Sequence, residues 1–312
     1  MQQQTVVSPA SLGHNDRVLY RQPDFPDLCR NHTVVDLHFH SVFSDGADLP
    51  AMIAKKARIM DIGVAVTDHN AIEGAMEMER YPDVLSIPGI EVTSKEGAHV
   101  LVYFYETRGL KHFYRKTIYP AKGRDIMSSI GLSMESIISR ARQNDGIVIF
   151  PHPYCAMYTG LCNILFSEAR QQELLARADG VEVINAGNLK KWNLKSTILG
   201  FNLNKAMTGG SDGHSLAHLG RSVTYTNTPR DRIAFLDALK QNTGRVIGQE
   251  VPFLRKVVDN SAKLPSHIKN SGNLMDKNMR YSFAILNRKS RQFKADMQRR
   301  LGGNIFSEIR RK

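Results

Sequence analysis

The sequence predicts an α/β fold in which seven strands alternate with helices and close into a barrel. Three observations carry this expectation. Short apolar runs rich in Val and Ile recur along the chain, and segments with helical periodicity separate them, the order expected of parallel strands with crossover helices. Several runs end in histidine or an acidic residue, and in barrels of this kind the working groups sit at the C-terminal strand ends. The chain has 312 residues, 42% hydrophobic and 23% charged, the size and make-up of a globular protein with a full core.

Residues 1 to 33 are polar and carry prolines, and read as an irregular arm. Val34 to Leu37 begins the first strand, whose exit carries His38 and His40. Side chains alternate along a strand, so these two imidazoles share a face and can share one metal. Ser44-Asp45-Gly46 turns the chain back and would bring the Asp45 carboxylate to the same strand end. Leu49, Met52, Ile53, Ala57 and Met60 have helical spacing, and Gly63 ends that helix. Val64 to His69 reads as a second buried strand, again ending in histidine, and a short helix passes through Met76 and Met78. Leu85 to Thr93 and Ala98 to Tyr105 are the third and fourth strands, carrying Glu91 and His99.

Residues 106 to 130 read as a long connection in which Arg108, Lys111, Arg115, Lys116, Lys122 and Arg124 are interleaved with His112, Phe113, Tyr114 and Tyr119. A helix from about Ser133 to Gln143 leads into the fifth strand, Gly146 to Phe150, which ends in Pro151-His152-Pro153. Glu168 to Ala178 reads as a helix, Gly180 to Gly187 as the sixth strand and Leu189 to Phe201 as another helical stretch. Lys205 to His214 is the seventh strand with its exit loop, Ser222 to Thr226 a final short strand and Asp231 to Asn242 a helix. The barrel thus spans residues 34 to 253.

Charge is unevenly placed. Of the net +12, +11 falls between Leu254 and Lys312, so the body is nearly neutral and the tail strongly basic. Within that tail Ser261 to Lys277 reads as a linker. Met279, Phe283, Leu286, Phe293, Met297 and Leu301 then recur at roughly helical spacing, with arginines and lysines on the other faces. Such a basic amphipathic helix can dock on the barrel, bind nucleic-acid phosphates or lie on an anionic membrane surface. The three cysteines, Cys29, Cys155 and Cys162, form no CxxC pair, which argues for a reducing compartment and against a disulfide scaffold or thiolate zinc site. No run of 18 apolar residues is present and the first residues lack signal-peptide character. The expectation is a cytoplasmic protein without a transmembrane segment.

The polar residues at strand ends are His38, His40, Asp45, His69, Glu91, His99, His152, Asp212 and His214, which include six of the eleven histidines. Imidazoles and carboxylates converging in one pocket repel or stay unsatisfied unless cations hold them. Nitrogen and oxygen ligands of this kind suit zinc, manganese or iron. Two cations about 4 Å apart can bridge a water, lower its pKa and stabilise both oxygens of an in-line displacement, which is the chemistry of phosphate ester hydrolysis.

In order, His-x-His-x4-Asp-Gly, Thr-Asp-His, Gly-Ile-Glu, His, His-Pro and Ser-Asp-x-His resemble the motifs of the PHP (polymerase and histidinol phosphatase) superfamily across about residues 34 to 250. That resemblance implies a distorted seven-stranded (β/α)7 barrel with a trinuclear metal centre, in a stand-alone phosphoesterase. Carried over residue by residue, His38, His40, Asp212 and Glu91 would hold one metal. Glu91 would bridge to a second held by His99 and His152, and Asp45, His69 and His214 would hold a third. Asp212 and His214 are the candidate proton shuttles.

Substrate contacts are sought among cations near the rim. Lys111, Arg115 and Lys116 lie in the connection after the fourth strand, where basic and aromatic residues together suit phosphates and stacked bases. Arg221 follows the Ser-Asp-x-His motif, and Lys190 and Lys191 follow the sixth strand. Gly209-Gly210 would let the backbone approach a ligand closely. The resulting expectation is hydrolysis of a phosphate ester, on nucleotides or short nucleic acids bound through the basic loop and tail. A small-metabolite phosphatase of the histidinol-phosphate type and a non-catalytic nucleic-acid-binding protein are the alternatives.

Overall fold

The computed structural model describes residues 17–155, 159–162 and 166–251. In chain order the elements are β1 (Val18–Tyr20), α1 (Phe25–Asn31), β2 (Thr33–Phe39), α2 (Pro50–Met60), β3 (Gly63–Val66), α3 (Glu73–Met78), β4 (Gly89–Thr93) and β5 (His99–Tyr103). Then follow α4 (Thr107–Phe113), a π-helical turn (Tyr114–Ile118), α5 (Met134–Arg142), β6 (Ile147–Phe150), α6 (Glu168–Arg177), β7 (Gly180–Asn185), α7 (Lys190–Leu203), β8 (Ala206–Gly210), β9 (Ser222–Thr226), α8 (Arg232–Lys240) and β10 (Arg245–Gly248). The expected basic tail lies outside the described residues.

These strands build two five-stranded sheets, in the orders β1-β10-β9-β2-β3 and β4-β5-β6-β7-β8. No single closed ring of seven parallel strands forms. β2 shows why: β3 takes one of its edges in parallel, and β9 takes the other in antiparallel pairing, Thr33 to Val35 against Thr226 to Thr224. β8 therefore reaches β2 only beyond that ladder, where Asp212 N donates to His38 O at 2.8 Å and His40 N to Gly213 O at 2.9 Å. On the other flank β3 and β4 meet through isolated bridges, Val64 with Ser86 and His69 with Glu91. The β8–β2 seam and the His69–Glu91 bridge fall at the strand ends that carry histidine, and the Val64–Ser86 bridge lies near the start of β3.

Nor are the strands all parallel. β4, β5 and β6 pair antiparallel, because only a short turn through Gly97 joins β4 to β5 and so short a link cannot make a parallel crossover. His99, at the start of β5 and paired with Thr93, consequently reaches the same end of the fold as the residues that follow β2, β3 and β6.

The apolar faces explain the layers. Val35, Leu37, Ala65, Leu101, Tyr103 and Ile149 fill the space between the sheets, and Phe235, Leu236 and Leu239 of α8 complete that cluster. Tyr103 Oη donates to Leu37 O at 2.7 Å and ties one sheet to the other. Asp231 caps α8, its side chain accepting from Ala234 N. Two departures from expectation concern connections. Residues 17–33 are not irregular: β1 pairs in parallel with β10, and Pro26 opens α1, where a missing N–H is harmless. Residues 107–118 are helical, since Leu110, Phe113, Tyr114, Thr117 and Ile118 bury one side.

Glycines mark where backbones touch. At Gly210 a methyl group would lie 2.7 Å from Glu182 Oε1 and 2.9 Å from His38 N, so this glycine serves the packing of β8 on β2 rather than a ligand. Gly210→Ala is expected to destabilise the fold by about 1–3 kcal/mol through overpacking, read as a lower urea midpoint with an unchanged slope.

Candidate metal centre

Six imidazoles and three carboxylates converge at the histidine-bearing end. All nine residues expected there are brought together: His38 and His40 by β2, Asp45 by the turn after it, His69 beyond β3, Glu91 on β4, His99 on β5, His152 after β6, and Asp212 with His214 after β8. Their ligand atoms fall into three groups: His38, His40 and Asp212; His69, Glu91 and His99; and Asp45 with His40, His69 and His214. His152 joins through its Nε2, 3.4 Å from Glu91 Oε1.

Glu91 sits at the centre. Its Oε1 faces His99 Nδ1 at 2.8 Å and His152 Nε2, while Oε2 faces His69 Nδ1 at 3.0 Å, His38 Nε2 at 3.4 Å and His40 Nε2 at 3.5 Å. Around Asp45 the nearest partner is His214 Nε2, 2.8 Å from Oδ2. The outermost side chains are Asp45, Asp212 and His214, 23%, 22% and 18% exposed against 10% or less for the rest, so solvent and substrate reach the centre from their side.

The fit to cations follows from donor bookkeeping. His38 Nδ1 is 3.1 Å from Glu182 Oε1, and a carboxylate accepts, so Nδ1 carries hydrogen and Nε2 of the neutral ring a lone pair. That lone pair faces His40 Nε2 at 3.3 Å and the carboxylates of Glu91 and Asp212. His214 repeats the pattern: Nδ1 donates to Asp212 O at 2.9 Å, which turns the Nε2 lone pair on Asp45. The buried Nδ1 of His152 and Oδ1 of Asp45 have no hydrogen-bond partner, and His69 Nδ1 is near Glu91 without hydrogen-bond alignment. Lone pairs aimed at lone pairs need protons or metal ions between them.

Without a cation, the cluster takes up protons. Burial opposes a charge on His38, yet Asp212, Glu91 and Glu182 raise its pKa well above the usual value. Burial would raise the Glu91 carboxyl, but His99, His69 and His38 hold it well below the carboxylate range, and Asp212 and Asp45 are likewise depressed by their imidazoles. His69 differs: burial pushes it down to about 3, so it stays neutral and ready to donate a lone pair.

Three carboxylates outside the nine expected ligands, Glu182, Asp68 and Asp36, hold those ligands in place. Glu182 accepts from His152 N at 2.9 Å and from Asn185 Nδ2 at 2.8 Å besides facing His38, and Asn185 Nδ2 also reaches Asp212 Oδ2 at 3.2 Å. Asp68 takes Ser41 N and the hydroxyls of Ser41 and Ser44, which fixes the turn bearing Asp45. Asp36 accepts from Ser211 N and Gly220 N and so anchors the segment bearing Asp212 and His214. The signal for all three was an acid inside or directly after an otherwise apolar strand.

The expected substrate cations divide. Lys111 and Arg115 line a cleft beside the centre, whereas exposed Lys116 is not part of its lining. Lys190 and Lys191 are exposed in the first turn of α7, with Lys191 Nζ 5.0 Å from the Trp192 ring centre. Arg221 is half-buried, its backbone bonded to His218 O and Gln249 N.

Two consequences can be measured. Metal uptake at pH 7 is expected to release at least one proton, that of His38, because a raised pKa keeps the metal-free imidazole charged and coordination needs it neutral. Calorimetry in buffers of different ionisation enthalpy counts the protons. Glu182→Gln is expected to weaken metal binding about 10–100-fold, read by chelator competition.

Residues 190–243 match the family described as PHP-associated. The chain is 30% identical over 166 residues to the uncharacterized protein MJ1587 of Methanocaldococcus jannaschii, covering 48% of this chain and 81% of that protein. Its fold is similar to that of the lesion-specific endonuclease PfuEndoQ from Pyrococcus furiosus, with a TM-score of 0.56, 18% identity and coverage of 69% of this chain and 57% of that one. It is also similar to a two-domain protein from Bacteroides vulgatus containing a predicted PHP-like metal-dependent phosphoesterase, with a TM-score of 0.52, 18% identity and coverage of 76% and 70%. With its motif order and these matches, the chain belongs to the PHP superfamily.

Proposed function

We propose that this protein is a metal-dependent phosphoesterase whose metals are held by the nine converging residues. One observation carries the reading: the two oxygens of Glu91 face different sets of imidazoles, His99 and His152 on one side and His69, His38 and His40 on the other, as a carboxylate bridging two cations must. The donor set suits divalent ions of manganese, zinc or iron: His38, His40 and Asp212 would hold one, His99 and His152 a second, with Glu91 available to both, and Asp45, His69 and His214 a third. When bound, such ions supply Lewis acidity that activates water and stabilises the attacking and leaving oxygens of an in-line displacement at phosphorus.

The chain's own residues do the rest. Asp212, open to solvent and with Asn185 Nδ2 steadying Oδ2, is the first candidate proton carrier. His214, its Nδ1 fixed on Asp212 O, presents Nε2 on the same side and is the second proton carrier. Lys190 and Lys191 stand at the start of α7, where the helix dipole disfavours cations and an anion nearby relieves them. Nucleotides or short nucleic acids are the favoured substrates, supported by Lys111 and Arg115 beside Tyr114 and Tyr119. The three free cysteines support a cytoplasmic setting, and among the described residues no helix is long and apolar enough to cross a membrane.

The test is metal content beside hydrolysis of a phosphomonoester, a diester and a short single-stranded oligonucleotide, with and without manganese. Near three metal equivalents and turnover are expected. His40→Ala and Asp212→Ala, which remove ligands outright, should each lower turnover by more than about 100-fold, beyond the usual effect of losing an outer partner. Turnover surviving both changes overturns the centre. Cleavage of small phosphate esters alone would identify a metabolite phosphatase.

A further inference from the structure

Beside the metal centre lies a cleft of about 490 Å³ that none of the nine ligands lines. Two of its walls grow out of ligand-bearing loops: Phe43 stands between His40 and Asp45, and Ile72 follows His69 by three residues. The opposite wall is one face of α4 and the π-helical turn, which presents Lys111, Tyr114 and Arg115. The wide turn, closed by Tyr119 N on Tyr114 O at 2.8 Å, sets the two tyrosine rings 6.1 Å apart, and Lys122 Nζ lies 5.1 Å and 5.7 Å from their centres. Tyr119 is 63% exposed and lines the cleft.

The cleft also holds charges of both signs that do not pair with one another. Glu73 and Glu77 of α3 face it, yet no ion pair joins either to Lys111 or Arg115 among the described residues. One Glu73 oxygen accepts from Ile72 N at 3.0 Å. A ligand complementary to this surface is flat and apolar on its faces, carries N–H donors on its edge for the carboxylates, and bears an anion for the cations. Its volume suits a base with its sugar and exceeds the need of a single small ring.

We infer that this cleft holds the nucleobase of a nucleotide whose phosphate lies on the metal centre, with Tyr119 as a stacking surface and Arg115 and Lys111 facing a neighbouring phosphate. The inference rests on the phosphoesterase reading, since it assumes a phosphate at the nine ligands. The base is recognised by its ring faces and edge, and a free nucleotide and the end of a nucleic acid share that chemistry.

Binding can be read apart from turnover. Manganese-loaded protein is titrated by calorimetry with phosphonate analogues of AMP and of ribose 5-phosphate, in which a methylene replaces the ester oxygen. The adenosine compound is expected to bind at least tenfold more tightly. Tyr119→Ala should weaken that compound alone by about 5- to 150-fold, the range for loss of one stacked base, and Tyr119→Phe should restore it. Equal binding of both compounds, equal weakening by Tyr119→Ala, or no binding while p-nitrophenyl phosphate is still cleaved overturns the inference. Tyr119-dependent binding without cleavage of any phosphate ester upholds the cleft and overturns the phosphoesterase reading. A dinucleotide analogue that gains affinity through Arg115, lost in Arg115→Gln, identifies a nucleic-acid end as the source; no gain identifies a free nucleotide.

Discussion

A carboxylate with 1% of its side chain exposed, held among five imidazoles, is the constraint on which this structure turns. An ion taken out of water costs several kcal/mol unless its new surroundings replace the hydration. Glu91 recovers that from cationic neighbours, protons on the imidazoles or metal ions between them. Its backbone is held as firmly as its side chain: Glu91 N donates to Asp68 O at 3.3 Å, and Asn70 N to Glu91 O at 2.9 Å. Those two bonds are one of the two isolated bridges that join the sheets along that flank. Sheet pairing and ligand placement are therefore one problem. A longer β3–β4 ladder would continue strands through the space that the imidazoles fill.

Around this centre stand three buried acids, and each governs a different part of it. Glu182 aims His38 and the chain at His152, Asp68 shapes the turn bearing Asp45, and Asp36 secures the segment bearing Asp212 and His214. Asp36 shows what the arrangement costs. Burial drives its pKa to about 6 even though Ser211, Gly220 and His38 donate to it. In the folded protein it therefore binds a proton more readily than in the unfolded chain, so the stability it contributes is greatest at low pH and falls as pH rises through about 6. A neutral residue would avoid that loss. The acid's two oxygens take donors from both ends of the loop between β8 and β9, Ser211 N and Gly220 N, each 2.9 Å away.

Much of this was legible in the sequence, and the reason is local. The strands after Thr33 announce themselves by apolar β-branched runs, the helices by period, and the ligands by residue types that apolar strands otherwise shun. Pairing partners were not legible. Nothing in Val18–Tyr20 or Arg245–Gly248 distinguishes three or four residues from a loop; the first becomes a strand by pairing with the second across more than 200 residues, and the second by pairing with β9 as well. The direction of β5 was hidden for a similar cause: alternating strands and helices argue for parallel pairing, and one short link through Gly97 reverses it. The helical stretch 107–118 was obscured by the charges interleaved with its apolar residues, Lys111, Arg115 and Lys116 among Leu110, Phe113, Tyr114 and Ile118. Glu182 stands out in the sequence only as an acid in an apolar strand, and its partner His38 is 144 residues away.

Backbone conformation adds the last constraint. Asn70, His152 and Asp212 all have left-handed backbones, with φ of 48°, 29° and 49°, and none is glycine. Such residues cost of order 1–3 kcal/mol unless their surroundings dictate the conformation. At Asp212 the reversal lets the chain leave β8, bond back to His38 O, and still turn both Asp212 and His214 inward two residues apart. At His152 it bends the chain off β6 while Glu182 captures the amide. At Asn70 it frees the side chain to bind Ile126 O and Ser128 O and to accept from Thr93 N. In an extended strand the alternation of side chains would put every second group on the far face. The left-handed turns break that alternation at the three strand ends where the centre needs groups from both faces, so the strain is the geometric condition for gathering nine ligands on one side of two sheets.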